Sequence, residues 1–110
     1  MSERDTVTER IAAATLRVDV PLERGGELAV AAQEVLESVA IVRYADVREL
    51  GAVDAGDDGL AVTIDCRLTL HGDDATAAEA TGRQALREAD RVLGIDRFET
   101  VDGPYRIERW

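Results

Sequence analysis

Residues 60–71 read LAVTIDCRLTLH, and their alternation is unbroken. Leu60, Val62, Ile64, Cys66, Leu68 and Leu70 fall on one side of an extended chain. Ala61, Thr63, Asp65, Arg67, Thr69 and His71 fall on the other. A strict period of two over this length marks a strand with one face in a core and one in water. Such half-wet strands belong to antiparallel sheets, since parallel sheets are covered on both faces. The apolar side then needs a second layer to bury it.

The stretch just upstream, AIVRYADVRELGAV (residues 40–53), is rich in β-branched types, but its alternation slips. It predicts a second strand with a bulge. The turn signal from Ala55 to Gly59 joins the two as a long hairpin. Earlier still, Leu16, Val18, Val20 and Leu22 oppose Arg17 and Asp19, another half-buried strand. Pro21 sits near its end, where a missing donor does least harm. Between the Gly25-Gly26 break and Val39, Leu28, Ala32, Val35, Leu36 and Val39 form one stripe, so a helix is expected over 26–39. Residues 2–14 are polar and then alanine-rich, and residues 1–14 read as an arm or short helix before a single domain, 15–110.

Downstream, Gly72-Asp73-Asp74 supplies carboxylates suited to capping a second helix. That helix is expected to run to Leu93 and stop at Gly94. Its inner stripe is Ala78, Gly82, Ala85, Ala89 and Val92; its outer side carries Glu79, Arg83 and Arg87 at four-residue spacing, an ion-pair ladder. Residues 96–110 suggest a strand or small hairpin around Asp102-Gly103-Pro104. The order is therefore β-α-β-β-α-β. It predicts a two-layer α+β fold, an antiparallel sheet with both helices on one face in a ferredoxin-like arrangement.

Composition bounds what such a domain can do. At 110 residues it leaves much surface exposed, and an apolar set dominated by Ala and Val makes a thin core, so association with another chain is expected. All 13 basic residues are Arg, against 23 carboxylates, for a net charge of −10. A GC-rich genome accounts for the missing Lys but not for the carboxylate excess. Molar salt does, because charge repulsion is then screened within about 3 Å, and a salt-adapted archaeon is the expected source. Such a negative chain is poorly suited to grip a phosphate backbone or an anionic membrane by itself. One cysteine excludes an internal disulfide, and no signal-like or membrane-length apolar run occurs, so a cytoplasmic location is expected.

The residues that might carry chemistry are few. Cys66 lies on the apolar side of its strand, away from the only His, and reads as a small buried hydrophobe. His71 with Asp73 and Asp74 offers a single imidazole, too little for a metal site. The acidic turn with Asp54, Asp57 and Asp58 lacks calcium-loop spacing, and Gly25-Gly26 lacks a phosphate-binding motif. No catalytic residue, metal site or cofactor is expected. The exposed arginines of the second helix, Arg83 and Arg87, are the residues best suited to a binding role, since Arg is enriched at interfaces.

The order of elements resembles the small dimerisation subunit of the archaeal KEOPS complex, the Pcc/CTAG family. The likeness covers residues 15–93. It rests on the first strand ending in Arg17-Val18-Asp19-Val20-Pro21, the amphipathic helix after it, the long hairpin, the acidic helix start, and Leu86-Arg87 at the place of the family's second Leu-Arg pair. The family's earlier Leu-Arg falls on Ala78-Glu79, its helix Asn on Arg83, and the 96–110 segment is longer than usual. The resemblance implies a non-catalytic subunit that dimerises through its sheet. Its helices would dock on the larger catalytic protein of a complex that makes threonylcarbamoyl-adenosine in tRNA, with Arg87 and Leu86 as carried-over contacts. Residues 60–107 are similar in outline to alkaline-shock-type structural proteins, without their Pro-Gly-Val. A ferredoxin-like module sensing a small ligand, and a small enzyme built on Cys66 or His71, are the remaining readings.

Overall fold

The computed structural model describes residues 5–21, 27–55, 59–72 and 79–109. The elements are β1 (Asp5–Pro21), α1 (Leu28–Glu37), β2 (Val42–Ala55), β3 (Gly59–Gly72), α2 (Glu79–Glu88) and β4 (Val92–Arg109). One four-stranded sheet runs in the order β2-β3-β1-β4, with each neighbouring pair antiparallel. The molecule is α+β, as the alternation of 60–71 requires.

The strictly alternating stretch occupies the centre. Ile64, Cys66, Leu68 and Leu70 of β3 stand beside Leu16, Ala14, Ala12 and Arg10 of β1 in the register, and all four are fully buried. Ala32 and Leu36 of α1, Leu86 of α2 and Phe98 of β4 complete one contiguous core. Since residues of both helices share that cluster with the same strand face, the helical layer lies on one side of the sheet.

Residues 5–14 differ from the expected arm or short helix: they are the first half of β1. Alanine's helix preference is worth less than about 1 kcal/mol per residue. Here Ala12, Ala13 and Ala14 gain a ladder on each side, to Leu68, Arg67 and Cys66 of β3 and to Thr100, Glu99 and Phe98 of β4, and are 0–3% exposed. Small side chains also let three strands pack under a thin cover. The turns expected around Gly25-Gly26 and 56–58, and the caps expected at Asp73 and Asp74, lie outside the described residues.

One further expectation is corrected at the C-terminal end. The second helix stops at Glu88, and Gly94 lies within β4 opposite Arg17 rather than capping the helix. Tight four-residue turns close it instead, the Ala89 N–H donating to Leu86 O and the Val92 N–H to Ala89 O. Of the two alternatives for the C-terminal segment the strand is the one observed, residues 92–109 running as a single strand along β1. Asp102 stands opposite Ile11 and Tyr105 opposite Glu9, so Gly103 and Pro104 bulge out against Arg10. Gly103 has φ of +91°, and a Cβ there would lie 2.9 Å from the Glu9 carbonyl oxygen, so only glycine suits the position.

The strands outrun their helices. The sheet's 17- and 18-residue strands give the molecule a longest dimension of 52 Å, whereas a ten-residue helix spans about 15 Å. Leu50 and Val53 of β2, and Val101 and Tyr105 of β4, are left exposed as a result. The two helices are also kept apart: α1 packs on β2 and β1, α2 on β4, with no close packing between them.

Candidate functional site

That separation leaves a groove of about 530 Å³ between the helices. Its floor is made by Val35 and Val39 of α1 and its exit turn, Ala85 and Ala89 of α2 and its exit turn, and Val92 of β4; Glu88, Asp90 and Arg91 stand at the rim. The groove continues past Ser38 toward Pro21, Ala31 and Glu34. The small stripe read in the sequence is thus partly core and partly groove: Gly82 is buried against Leu70, Phe98 and Ile41, whereas Ala85 and Ala89 are half-buried and line the opening.

The three candidate partner-binding residues separate. Leu86 is fully buried in the core, so it cannot meet a partner while the fold is intact. The correction has a simple cause: α2 turns the Gly82–Leu86 line, not Ala85–Ala89, toward the sheet. Arg83 Nη2 donates to the Phe98 carbonyl at 2.8 Å, and its guanidinium sits 5.9 Å over the Phe98 ring. Arg87 is exposed in the last turn.

Glu79 belongs with Arg83. Its carboxylate accepts the Thr100 N–H at 2.7 Å, and that bond holds the carboxyl below its usual range, with Thr100's side chain and Arg83 adding to the effect. The pair read as rungs of a surface ladder is therefore a clamp on edge strand β4. A matching clamp acts on the other edge, where Glu37 accepts the Ala45 N–H at 2.9 Å and the Gln33 amide at 3.2 Å. Spacing along a helix gave no signal for these contacts, because their partners lie on strands far away in sequence.

The second open surface is the sheet face turned away from the helices. At its centre Asp46, Arg67, Ala13 and Glu99 form one row across the four strands, and Glu49, Asp65, Thr15 and Arg97 the next. Thr15 Oγ1 donates to Asp65 Oδ1 at 2.7 Å, Arg48 pairs with Asp46 at 2.6 Å, and Arg97 pairs with Glu99. Arg97 is held in its charged form first by Glu99 and also by Asp65. Farther along, Arg17 reaches Asp54 at 2.8 Å and Thr63 at 3.3 Å. A depression of about 270 Å³ opens here, floored by Ala13 and Thr15 and ringed by Arg48, Glu49, Asp65, Arg67 and Arg97.

Cys66 is a free thiol with no exposure, and burial, with Asp65 adding to it, pushes its pKa up to about 12. His71 is half-buried near the end of β3, and its backbone N–H donates to Ile41 O. Among the described residues no group of His, Cys, Asp and Glu has the arrangement to hold a metal ion. No described helix is long and apolar enough to cross a membrane. Compared with known proteins, the chain matches no family model, no curated protein and no solved structure.

Proposed function

We propose that this chain is a non-catalytic assembly subunit, homodimeric, that holds a larger protein against its helical layer. The observation that carries the reading is the groove between α1 and α2. Two helices on one sheet normally close on each other; here they stand apart over a floor of Val35, Val39, Ala85, Ala89 and Val92. An apolar trough with polar rims is what an amphipathic partner helix fills, and a thin core gains from the added burial. Arg87, exposed on α2, would make a rim contact.

The strand order β2-β3-β1-β4 supports a ferredoxin-like assignment, since β1-α1-β2 and β3-α2-β4 are two crossovers interleaved in one antiparallel sheet. The resemblance to the KEOPS dimerisation subunit makes the catalytic protein of a threonylcarbamoyl-adenosine complex the partner to try first. The test is co-purification in molar salt of that protein with the native chain and with Ala85→Arg and Ala89→Arg, which obstruct the groove; since Ala89 also packs against the core, the variants' denaturation midpoints are measured alongside. Capture by the native chain and its loss in both variants is expected. Undiminished capture by the variants refutes the groove, and no capture by the native chain refutes the partner. Light scattering of the chain alone tests the dimer.

A further inference from the structure

We propose that the depression on the open sheet face binds a small zwitterion of the α-amino-acid type, its carboxylate at Arg67 and its ammonium at Glu49 and Asp65. The inference is independent of the partner groove, which lies on the opposite face, and requires that the homodimer leave this sheet face accessible.

The depression differs from ordinary solvated sheet surface in what it leaves unpaired. Cross-strand charges normally find each other. Arg67 on β3 and Glu49 on β2 are opposite charges on adjacent strands, diagonal in the register (Asp46 opposite Arg67, Glu49 opposite Asp65). Yet neither makes a hydrogen bond or ion pair with any described residue, although Arg67 is half-buried. Asp65 uses Oδ1 to accept from Thr15, which fixes its orientation and leaves its other oxygen without a hydrogen bond among the described residues. An unpaired guanidinium and two carboxylates thus ring the same concavity.

Charge decides between ligand classes. Arg48 and Arg97 also line the site, but Asp46 and Glu99 already neutralise them. A simple anion at Arg67 would also meet Glu49 and Asp65, and a simple cation at those carboxylates would meet Arg67. A ligand carrying both charges a few ångströms apart satisfies the two sides together, with the guanidinium fork matching a carboxylate in two-pronged fashion. At about 270 Å³, just below the usual range for drug-sized ligands, the space suits a single small metabolite. The small floor residues Ala13 and Thr15 let its backbone atoms approach the sheet.

The test is a titration of the full-length chain, isotope-labelled and in molar potassium chloride, with each proteinogenic α-amino acid and with inorganic phosphate. At least one amino acid should saturate in the millimolar range or tighter and shift the amide resonances of Thr15, Glu49, Asp65 and Arg67. Its carboxamide and its N-acetyl derivative should each bind about tenfold more weakly or worse, as should the amino acid itself to Arg67→Gln and Glu49→Gln. Both variants should keep the denaturation midpoint of the parent, and both should still capture any partner held by the helices. Saturation by no amino acid, equal binding of the carboxamide or N-acetyl form, unchanged affinity in either variant, or tighter binding of phosphate overturns the proposal. So does a second copy that covers this face in solution and is not displaced by any amino acid.

Discussion

Leu86 separates a buried role from a contact role, and Leu86→Ala tests which one it has. Its side chain has no exposure. Truncation removes three carbon atoms, worth about 2.4 kcal/mol at about 0.8 kcal/mol each. The helix neighbours one turn away, Gly82 and Ala89, are too small to swing into the space. The cavity therefore persists, and the total loss should reach about 3–4 kcal/mol. That is a large share of the ~5–15 kcal/mol that holds a domain of this size. With a urea slope of about 1.5 kcal/mol per molar, the midpoint should fall by about 2 M. The assay is urea denaturation followed by far-ultraviolet circular dichroism at constant potassium chloride. Leu86→Met, which conserves volume, should cost less than about 1.5 kcal/mol. Arg87→Ala, exposed one residue on, should stay within about 0.5 kcal/mol. A midpoint shift below about 0.5 M for Leu86→Ala, at unchanged slope, would refute the burial argument and return Leu86 to the surface.

Cys66 keeps its proton in the folded state well above the ordinary value of 9.0, to about 12, so stability should be intact below pH 9 and fall by about 1.4 kcal/mol per pH unit between those values, about 4 kcal/mol in all. Cys66→Ala should lower stability at neutral pH yet lose that alkaline slope; the same slope in both proteins contradicts the assignment. Glu79, held below its usual range by the Thr100 N–H, adds stability above about pH 4.5 that disappears as pH falls through its lowered value. Acid titrations of Glu79→Gln should therefore show a shallower loss than the parent. Gly103→Ala should cost about 1–3 kcal/mol in thermal or urea unfolding, because its φ and the nearby Glu9 carbonyl both oppose a Cβ. Moving from molar to 0.1 M potassium chloride lengthens screening from about 3 to 10 Å, so the melting temperature should drop if the carboxylate excess is an adaptation to salt.

The parts of the fold that were legible in the sequence are those where local pattern and final burial coincide. The 60–71 stretch alternates because both its edges are paired and only one face is covered, and the same logic exposed the slipping alternation of β2, which carries three register shifts. The parts that were not legible are those where a tertiary partner overrides local preference. Ala12–Ala14 resemble helix until two strands are placed beside them. Asp102-Gly103-Pro104 has the composition of a turn, and only the continuing pairs at Ile11 and Glu9 reveal a bulge in one strand. For the candidate surfaces, the sequence identified Arg83 and Arg87 as one exposed set. It could not show that Arg83 reaches Phe98, because that contact depends on the length and register of β4.

The same contacts explain which surfaces remain open. An exposed sheet edge is the usual route to uncontrolled pairing, and both edges here are defended. β2 carries three register shifts and donates an N–H to Glu37; β4 carries four, a proline, and an N–H given to Glu79. Pairing by added strands is thereby disfavoured, whereas the helix groove and the open sheet face stay uncovered among the described residues. On that face Arg17, Arg48 and Arg97 each hold a neighbouring carboxylate, and so does Arg43 with Glu9. With no lysine in the chain, every one of these cations is a guanidinium able to fork onto a carboxylate. Arg67 sits among them, half-buried, with acids on both sides and no bond to any described residue. Of the described arginines, Arg67 and Arg87 make no hydrogen bond or ion pair with a described residue; Arg87 is exposed on α2, whereas Arg67 is half-buried in a concavity, and on that difference the proposed site rests.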